Sequence, residues 1–165
     1  MRYRPHDYSS AAGYFVTFAT RNRRPLLGAI VNASFRASAA GRIVEDVWRQ
    51  LPVRYPTAQC DAFQLMPDHV HCIVVLLDAR VAGIPDAGSV DLPAVMHWLK
   101  GVSSRRINAA MGTTGKPVWQ AGYTDRVIRS ERELEKFRQY TLTNPLRYSL
   151  RESESQCQGG VMSGG

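Results

Sequence analysis

Apolar side chains cluster in several short runs that favour β-strands. Residues 13–19, 59–66 and 69–77 are rich in aromatic and β-branched side chains, as strands are. The pair Pro67-Asp68 separates the second run from the third and favours a tight turn, which predicts a hairpin. A shorter strand is expected within 119–128.

Elsewhere the apolar positions recur at helical spacing. They repeat every fourth residue from 34 to 51, and a similar pattern covers 92–110, which predicts two amphipathic helices. Pro52 is expected to end the first helix because proline lacks the backbone N–H. The segment 78–91 contains glycine and proline and is predicted to be a loop.

A third helix is predicted near the C-terminus. Ser130 followed by Glu133 has the spacing of a capping box. In this motif each side chain accepts a hydrogen bond from the backbone N–H of the other residue. The helix is expected to end at about residue 143, because Asn144 precedes Pro145 and such residues disfavour helix. From about residue 152 the chain is rich in Ser, Gln and Gly, which favours disorder.

The order of elements is strand, helix, hairpin, helix, strand and an added helix. It matches the α+β, ferredoxin-like (RRM-like) fold, an antiparallel sheet with two covering helices, here extended by a C-terminal helix. The 165 residues suit one domain. We expect this domain to span 1–150, followed by a disordered tail at 151–165.

The net charge of the chain indicates which class of partner it binds. The net charge is +7, and 18 of the 21 basic residues are arginine, whose planar fork matches phosphate. A nucleic-acid partner is therefore expected, although a high-GC coding bias would also enrich arginine. No apolar run is long enough for a membrane span. Three cysteines without a C-x-x-C pair favour a reducing cytoplasm.

Two histidines on the third predicted strand form the sharpest chemical signal. His69 and His71 flank Val70, and because side chains alternate along a strand, both imidazoles point to one face. Their Cα atoms would lie roughly 7 Å apart, close enough for both rings to reach one divalent metal. A half-exposed pair of histidines with no metal is the other interpretation.

Tyr140 and Asn144 form a second pair. They are four residues apart in the predicted third helix and therefore share a face. Taken alone, Tyr140 is more readily explained as a core or boundary aromatic.

The combined motifs resemble those of the REP-associated tyrosine transposases, a branch of the single-tyrosine transposases. His69-Val70-His71 resembles their HUH motif, in which U is a bulky apolar residue. The similarity covers about residues 10 to 148. Its other parts are Arg21-Asn22-Arg23-Arg24, Leu99-Lys100-Gly101, Trp119-Gln120-x-x-Tyr123-x-Asp125-x-x-Ile128-Arg129, and Tyr140-x-x-x-Asn144-Pro145.

The resemblance implies a role for each site residue. His69 and His71 would bind a divalent metal, Mg²⁺ or Mn²⁺, and Asn144 would be the third ligand. Tyr140 would be the nucleophile that attacks single-stranded or hairpin DNA and forms a 5′-phosphotyrosine bond. Tyr123 is the nearest rival tyrosine and is interpreted as a structural or DNA-stacking residue.

The resemblance and the charge together indicate a DNA interface. We expect a bacterial protein of the cytoplasm, associated with the nucleoid, that acts as a monomer or homodimer without a membrane. The candidate DNA-binding residues are Arg2, Arg4, Arg23, Arg24, Lys100, Arg105, Arg106, Trp119, Tyr123 and Arg129.

Two other functions remain open from the sequence. One is a hairpin-binding module that uses a ferredoxin-like sheet without cutting. The other is a histidine-dependent nucleotide hydrolase, which would need a further histidine beside the pair. Only His6 and His97 are available for that role.

Overall fold

The computed structural model describes the backbone of residues 11–159 and the side chains of 11–150. Within that part the chain forms two sheets and three helices. The strands are β1 (Ala11–Ala19), β2 (Gly28–Val31), β3 (Ser34–Ala37), β4 (Ala58–Leu65), β5 (His69–Leu77) and β6 (Thr124–Ile128); the helices are α1 (Ala39–Arg54), α2 (Leu92–Met111) and α3 (Glu131–Gly159).

Four strands form an antiparallel sheet in the order β4-β5-β1-β6. This order is that of a ferredoxin-like sheet, so the predicted fold class is confirmed. One face carries the main core, which is built with α1 and α2 and includes Val16, Val44 and Leu99. The other face carries a smaller apolar cluster in which Ile73 meets Leu134 of α3. The sheet is therefore covered on both faces.

The predicted helix over 34–51 begins too early. Residues 34–37 form β3, which pairs with β2 in a separate hairpin. The helix begins after Ser38, whose Oγ accepts a hydrogen bond from the N–H of Gly41 at 3.1 Å. Phe35 has the right spacing for the helix, but it packs on the core from the hairpin instead.

The same helix continues through Pro52, so the predicted end there is also wrong. Proline cannot donate to the carbonyl of Trp48, four residues earlier. The Sγ of Cys60 on β4 donates to that carbonyl at 3.4 Å. A side chain of the neighbouring strand thus compensates for the missing helical bond.

Ser130 caps α3 as predicted, although the return bond to the side chain of Glu133 comes from Arg129 in place of Ser130. The N–H of Glu133 donates to Ser130 Oγ at 3.2 Å, and Glu133 Oε2 accepts from the N–H of Arg129 at 2.8 Å. The predicted end at residue 143 is wrong, because α3 passes through Pro145 to Gly159. One proline removes a single backbone bond, and helical turns on both sides retain theirs. Residues 160–165 lie outside the described part, and the domain division stays a prediction.

Candidate active site

The site is built first on β5. His69 and His71 alternate with the core residues Val70 and Cys72, so both imidazoles face the side of the sheet that α3 covers. In the antiparallel register His71 lies opposite Thr17 of β1. Thr17 Oγ1 and His71 Nδ1 share a hydrogen bond of 2.8 Å. The ring of His71 is therefore oriented from the neighbouring strand.

Asp68 orients the other imidazole. Its Oδ1 lies 2.6 Å from His69 Nδ1, and because an ionised carboxylate can only accept, Nδ1 carries the proton. The second oxygen of Asp68 lies 3.6 Å from the guanidinium of Arg23. Both Nδ1 atoms are thus occupied, and the two Nε2 atoms of His69 and His71 converge to 3.1 Å.

His71 is held in its neutral form. Burial, and then the nearby His69 and Arg23, lower the pKa of His71 to about 4. At neutral pH its ring therefore has a lone pair on one nitrogen, and a neutral imidazole is the form that binds metal.

The third helix brings Tyr140 to this pair. The ring of Tyr140 meets the ring of His71 edge-on, with centroids 5.7 Å apart, and meets Phe15 at 5.9 Å. Phe15 stacks on Phe137 of α3 at 4.6 Å, which fixes the helix against β1 at this point. Tyr140 is still 38% exposed, and the guanidinium of Arg147 lies 5.4 Å from its ring.

Asn144 lies one helical turn after Tyr140. Its Nδ2 is buried and has no hydrogen-bond partner among the residues described. A buried amide end without a partner is costly, and a ligand that used it would remove the cost. Half a turn of the planar amide group exchanges its nitrogen and its oxygen. The oxygen of Asn144 can therefore occupy the position of Nδ2.

The spacing of the two histidines fits a divalent cation. In octahedral coordination at about 2.1 Å, adjacent ligands lie roughly 3 Å apart, which is close to the separation of the two Nε2 atoms. His69 and His71 supply nitrogen, and Asn144 would supply an amide oxygen. The described part of the chain has no cluster of three His, Cys, Asp or Glu that could hold a metal, so a full site depends on that amide.

Three of the predicted DNA-binding residues, Lys100, Trp119 and Tyr123, lie around one cleft beside α2, and two of them are engaged within the protein. Trp119 is only 7% exposed, and its Nε1 donates to the buried Ser103 Oγ at 3.0 Å. Lys100 Nζ donates to the carbonyls of Gln120 and Gly122 at 2.8 and 2.5 Å. The polar groups of both side chains therefore bind other parts of the protein.

The remaining candidates that the structure describes lie at or near the surface. Tyr123 is half-buried, and Arg106 donates to Gln50 at 2.9 Å. Arg2 and Arg4 lie outside the described residues, as does His6, one of the two histidines available to a nucleotide hydrolase. The exposed arginines of the set are Arg23, Arg24, Arg105, Arg106 and Arg129.

The basic segment after β1 has an unusual backbone. Asn22 and Arg23 both adopt left-handed conformations, with φ of 57° and 53°. Side chains other than glycine rarely adopt such angles, and they occur at functional sites where the surrounding structure enforces them. Here the segment lies beside Asp68, to whose carbonyl Thr20 donates through its N–H at 2.9 Å.

Sequence reasoning missed the residues that support the site. Thr17 and Phe15 contact His71 only through strand pairing, which requires the register of β1 on β5. The sequence does contain a signal for the role of Asp68, because this residue immediately precedes His69. Arg147 lies beyond the predicted end of the helix, so a helix that ends at 143 cannot bring it to Tyr140.

A family model described as IS200-like transposase matches residues 9–144. The chain belongs to this family. The family indicates a DNA-processing role, and it confirms the group expected from the sequence motifs.

The chain is also similar to individual proteins. A Haemophilus influenzae protein, described only as uncharacterised, is 27% identical over 158 residues, covering 88% of this chain and 87% of that protein. Among solved structures, a REP-associated tyrosine transposase bound to a REP hairpin has a TM-score of 0.61 at 20% identity, covering 90% of this chain and 74% of that one. A Deinococcus radiodurans protein described as a candidate transposase has a TM-score of 0.52 at 21% identity, covering 85% and 94%.

These structural matches confirm the fold expected for the family. No helix within residues 11–159 has the length and apolar character needed to cross a membrane.

Proposed function

We propose that the protein is a metal-dependent DNA transesterase, which nicks and rejoins single-stranded hairpin DNA through a 5′-phosphotyrosine on Tyr140. The observation that carries the proposal is the contact between the rings of Tyr140 and His71, at the point where the Nε2 atoms of His69 and His71 converge. The proposed nucleophile on α3 thus lies beside the candidate cation site on β5.

The reaction balances without a co-reactant. The phenol oxygen of Tyr140 forms a bond to the phosphorus, its proton leaves, and the bond from phosphorus to the 3′-oxygen breaks. That oxygen takes up a proton and becomes a 3′-hydroxyl. Because one phosphodiester replaces another, the reverse attack by a 3′-hydroxyl rejoins the strand with no need for ATP.

Each residue has a task in this scheme. A cation held by His69, His71 and Asn144 would be Mg²⁺ or Mn²⁺, and when bound it would withdraw charge from the phosphate oxygens. Asp68 and Thr17 orient the two imidazoles. Phe15 positions the ring of Tyr140, and Arg147 places positive charge beside it.

The substrate proposal rests on charge and on the solved relative. The net charge of +7 favours a polyanion, and the REP-associated tyrosine transposase was solved with a REP hairpin. We infer that hairpin DNA with a single-stranded flank is the substrate, bound by a monomer or homodimer at the nucleoid of a bacterial cell.

A covalent adduct tests the proposal. Wild-type protein incubated with hairpin DNA and Mn²⁺ should give a protein–DNA band that survives a denaturing gel. Tyr140→Phe keeps the ring contacts but lacks the attacking oxygen, and it should give none. The Tyr123→Phe variant should still give the band, and a mapped adduct peptide containing Tyr123 in place of Tyr140 would overturn the assignment.

The structure favours neither alternative function. RRM-like modules bind bases on an open sheet face, and here α3 covers that face through Leu134 and Phe137. The nucleotide hydrolase needs a histidine beside the pair. Among the residues that the structure describes, the only other histidine is His97, which lies on α2 and so on the opposite face of the sheet.

A further inference from the structure

Two exposed arginines lie beside Tyr140, and neither was among the residues expected to bind DNA. Arg147 is on α3, two helical turns after Tyr140, and Arg126 is on the edge strand β6. Two different elements of the fold therefore each contribute one cation to the surroundings of the proposed nucleophile.

Helical spacing brings Arg147 to Tyr140. Residues seven positions apart in an α-helix lie two turns apart on nearly the same face. The guanidinium carbon of Arg147 is 5.4 Å from the centre of the Tyr140 ring. Asn144 lies between the two in sequence, on the same side of the helix. One side of α3 thus carries the proposed nucleophile, the candidate metal ligand and a cation.

Strand pairing brings Arg126 to the same region. It is the register partner of Phe15 on β1, and residues directly opposite each other in an antiparallel pair project from the same face. The ring of Phe15 lies 5.5 Å from the ring of His71 and 5.9 Å from that of Tyr140. Ile128, two positions along β6, belongs to the apolar cluster beneath α3, so alternation places Arg126 on that face too.

Neither guanidinium is neutralised by a carboxylate that the structure describes. No aspartate or glutamate among those residues lies within ion-pair distance of Arg126 or Arg147. Arg138, on the same helix, is by contrast paired with Asp61. The N–H donors of Arg126 and Arg147 are therefore available to an anionic ligand, and a phosphate matches their planar fork.

The proposed reaction develops negative charge at this point. As the phenol oxygen of Tyr140 attacks phosphorus, charge accumulates on the non-bridging oxygens of the phosphate, and donors already aimed at them lower the barrier. We propose that Arg126 and Arg147 are catalytic residues that bind the phosphate attacked by Tyr140 and stabilise its charge in the transition state. This inference rests on the proposed function, and it gives the two arginines a task separate from that of the candidate cation.

The rate of adduct formation at saturating hairpin DNA tests the inference. Arg126→Gln and Arg147→Gln keep a polar side chain but remove the charge, and each should lower the rate about 100-fold or more, as loss of one transition-state donor does. Arg147→Lys keeps the charge without the fork and should recover part of the rate. DNA affinity, measured in a Tyr140→Phe background, should change by less than about three-fold, because the contact strengthens mainly in the transition state.

Arg132→Gln is the matched control. Arg132 is an exposed arginine of the same helix, about 12 Å before Tyr140 along the helix axis at 1.5 Å per residue. Its replacement removes the same charge and should change neither the rate nor the affinity.

A neutral phosphate analogue separates a catalytic role from a structural one. A methylphosphonate at the cleaved linkage replaces one non-bridging oxygen with a methyl group and removes the negative charge, so a guanidinium has no charge to balance there. With the two diastereomers tested separately, the difference in rate between wild type and each glutamine variant should fall to about three-fold or less for at least one of them. A residue that only supports the fold would leave the difference as large as it is with phosphate.

The outcomes distinguish the two proposals. A normal rate for either glutamine variant, or an equal loss on phosphate and on both methylphosphonates, would overturn the inference, while the wild-type adduct would still support the transesterase proposal. Absence of an adduct with wild-type protein would overturn both.

Discussion

Arg138 of α3 forms a two-pronged ion pair with Asp61 of β4. Its Nε and Nη2 donate to the two carboxylate oxygens at 2.8 and 2.5 Å. A bulge between Cys60 and Phe63 shifts the register of β4 at this point. The side chains of Asp61 and Arg138 are only 11% and 30% exposed, and the hydrogen bond to Asp61 raises the pKa of Arg138. The pair thus ties the helix to the sheet two residues before Tyr140.

We expect Asp61→Asn to lower the free energy of unfolding by about 1.5–3 kcal/mol, the range for hydrogen bonds to charged groups. Urea denaturation measures it. The control is Asp46→Asn, which removes an exposed ion pair with Arg49 and should change stability by less than about 1 kcal/mol. Equal midpoints for Asp61→Asn and wild type would mean that the pair does not hold the helix.

The histidine pair should be required for chemistry but not for DNA binding. His69→Ala and His71→Ala are each expected to abolish the covalent adduct, because either change removes one of two converging Nε2 atoms. Hairpin affinity should stay within about three-fold of wild type, since the pair makes no part of the basic surface. Wild-type protein treated with chelator is the reference, and Mn²⁺ should restore the adduct only there. Adduct formation by either variant contradicts the metal proposal.

Thr17→Val tests the support of His71. Valine has nearly the shape of threonine and favours strands, but it lacks the hydroxyl that meets His71 Nδ1. Removing such a supporting bond typically weakens metal affinity about 10- to 100-fold. Titration with Mn²⁺, followed by electron paramagnetic resonance, measures the change. Thr124→Val, at the position paired with Thr17 on the edge strand, should leave the affinity unchanged; an equal decrease there would show a general effect on the sheet.

DNA binding should depend on salt through the segment after β1. Each phosphate that a basic residue neutralises on single-stranded DNA contributes a slope of roughly −0.7 in a plot of log affinity against log salt. Replacing Arg23 and Arg24 with alanine should make the slope shallower by about 0.7 for each phosphate left without its arginine. Arg49→Ala, on exposed α1 surface with acidic partners, removes one charge elsewhere, half of what the double replacement removes. If it reduces the slope by half as much as the double replacement does, net charge is the cause and the segment has no special role.

Local periodicity predicted the two central pairs of the site. Alternation along β5 placed His69 and His71 on one face, and helical spacing placed Tyr140 and Asn144 on one face of α3. Both patterns depend on neighbours within four residues. The hydrogen bond between Thr17 and His71 depends on residues 54 apart in sequence, and no local pattern contains that register.

The segments that differ from the sequence prediction have physical reasons as well. The turn between β2 and β3 uses Asn32 and Ala33, both left-handed with φ of 51° and 59°, whereas glycine would have signalled it. Helix ends are expected at Pro52 and near Pro145, but both prolines lie within helices that continue on either side. Lys100 and Trp119 match family motifs, but both are hydrogen-bonded within the protein. Motif spacing does not distinguish a residue that contacts DNA from one that supports the fold.

The two left-handed residues after β1 imply a conformational cost that a glycine would avoid. Glycine at position 23 would adopt the observed φ of 53° without steric cost, and would relax the turn. It would also remove the guanidinium that lies 3.6 Å from Asp68, and with it a charge beside the histidine pair. A chain that keeps arginine in a backbone conformation suited to glycine retains conformational strain in exchange for a charged side chain that reaches Asp68.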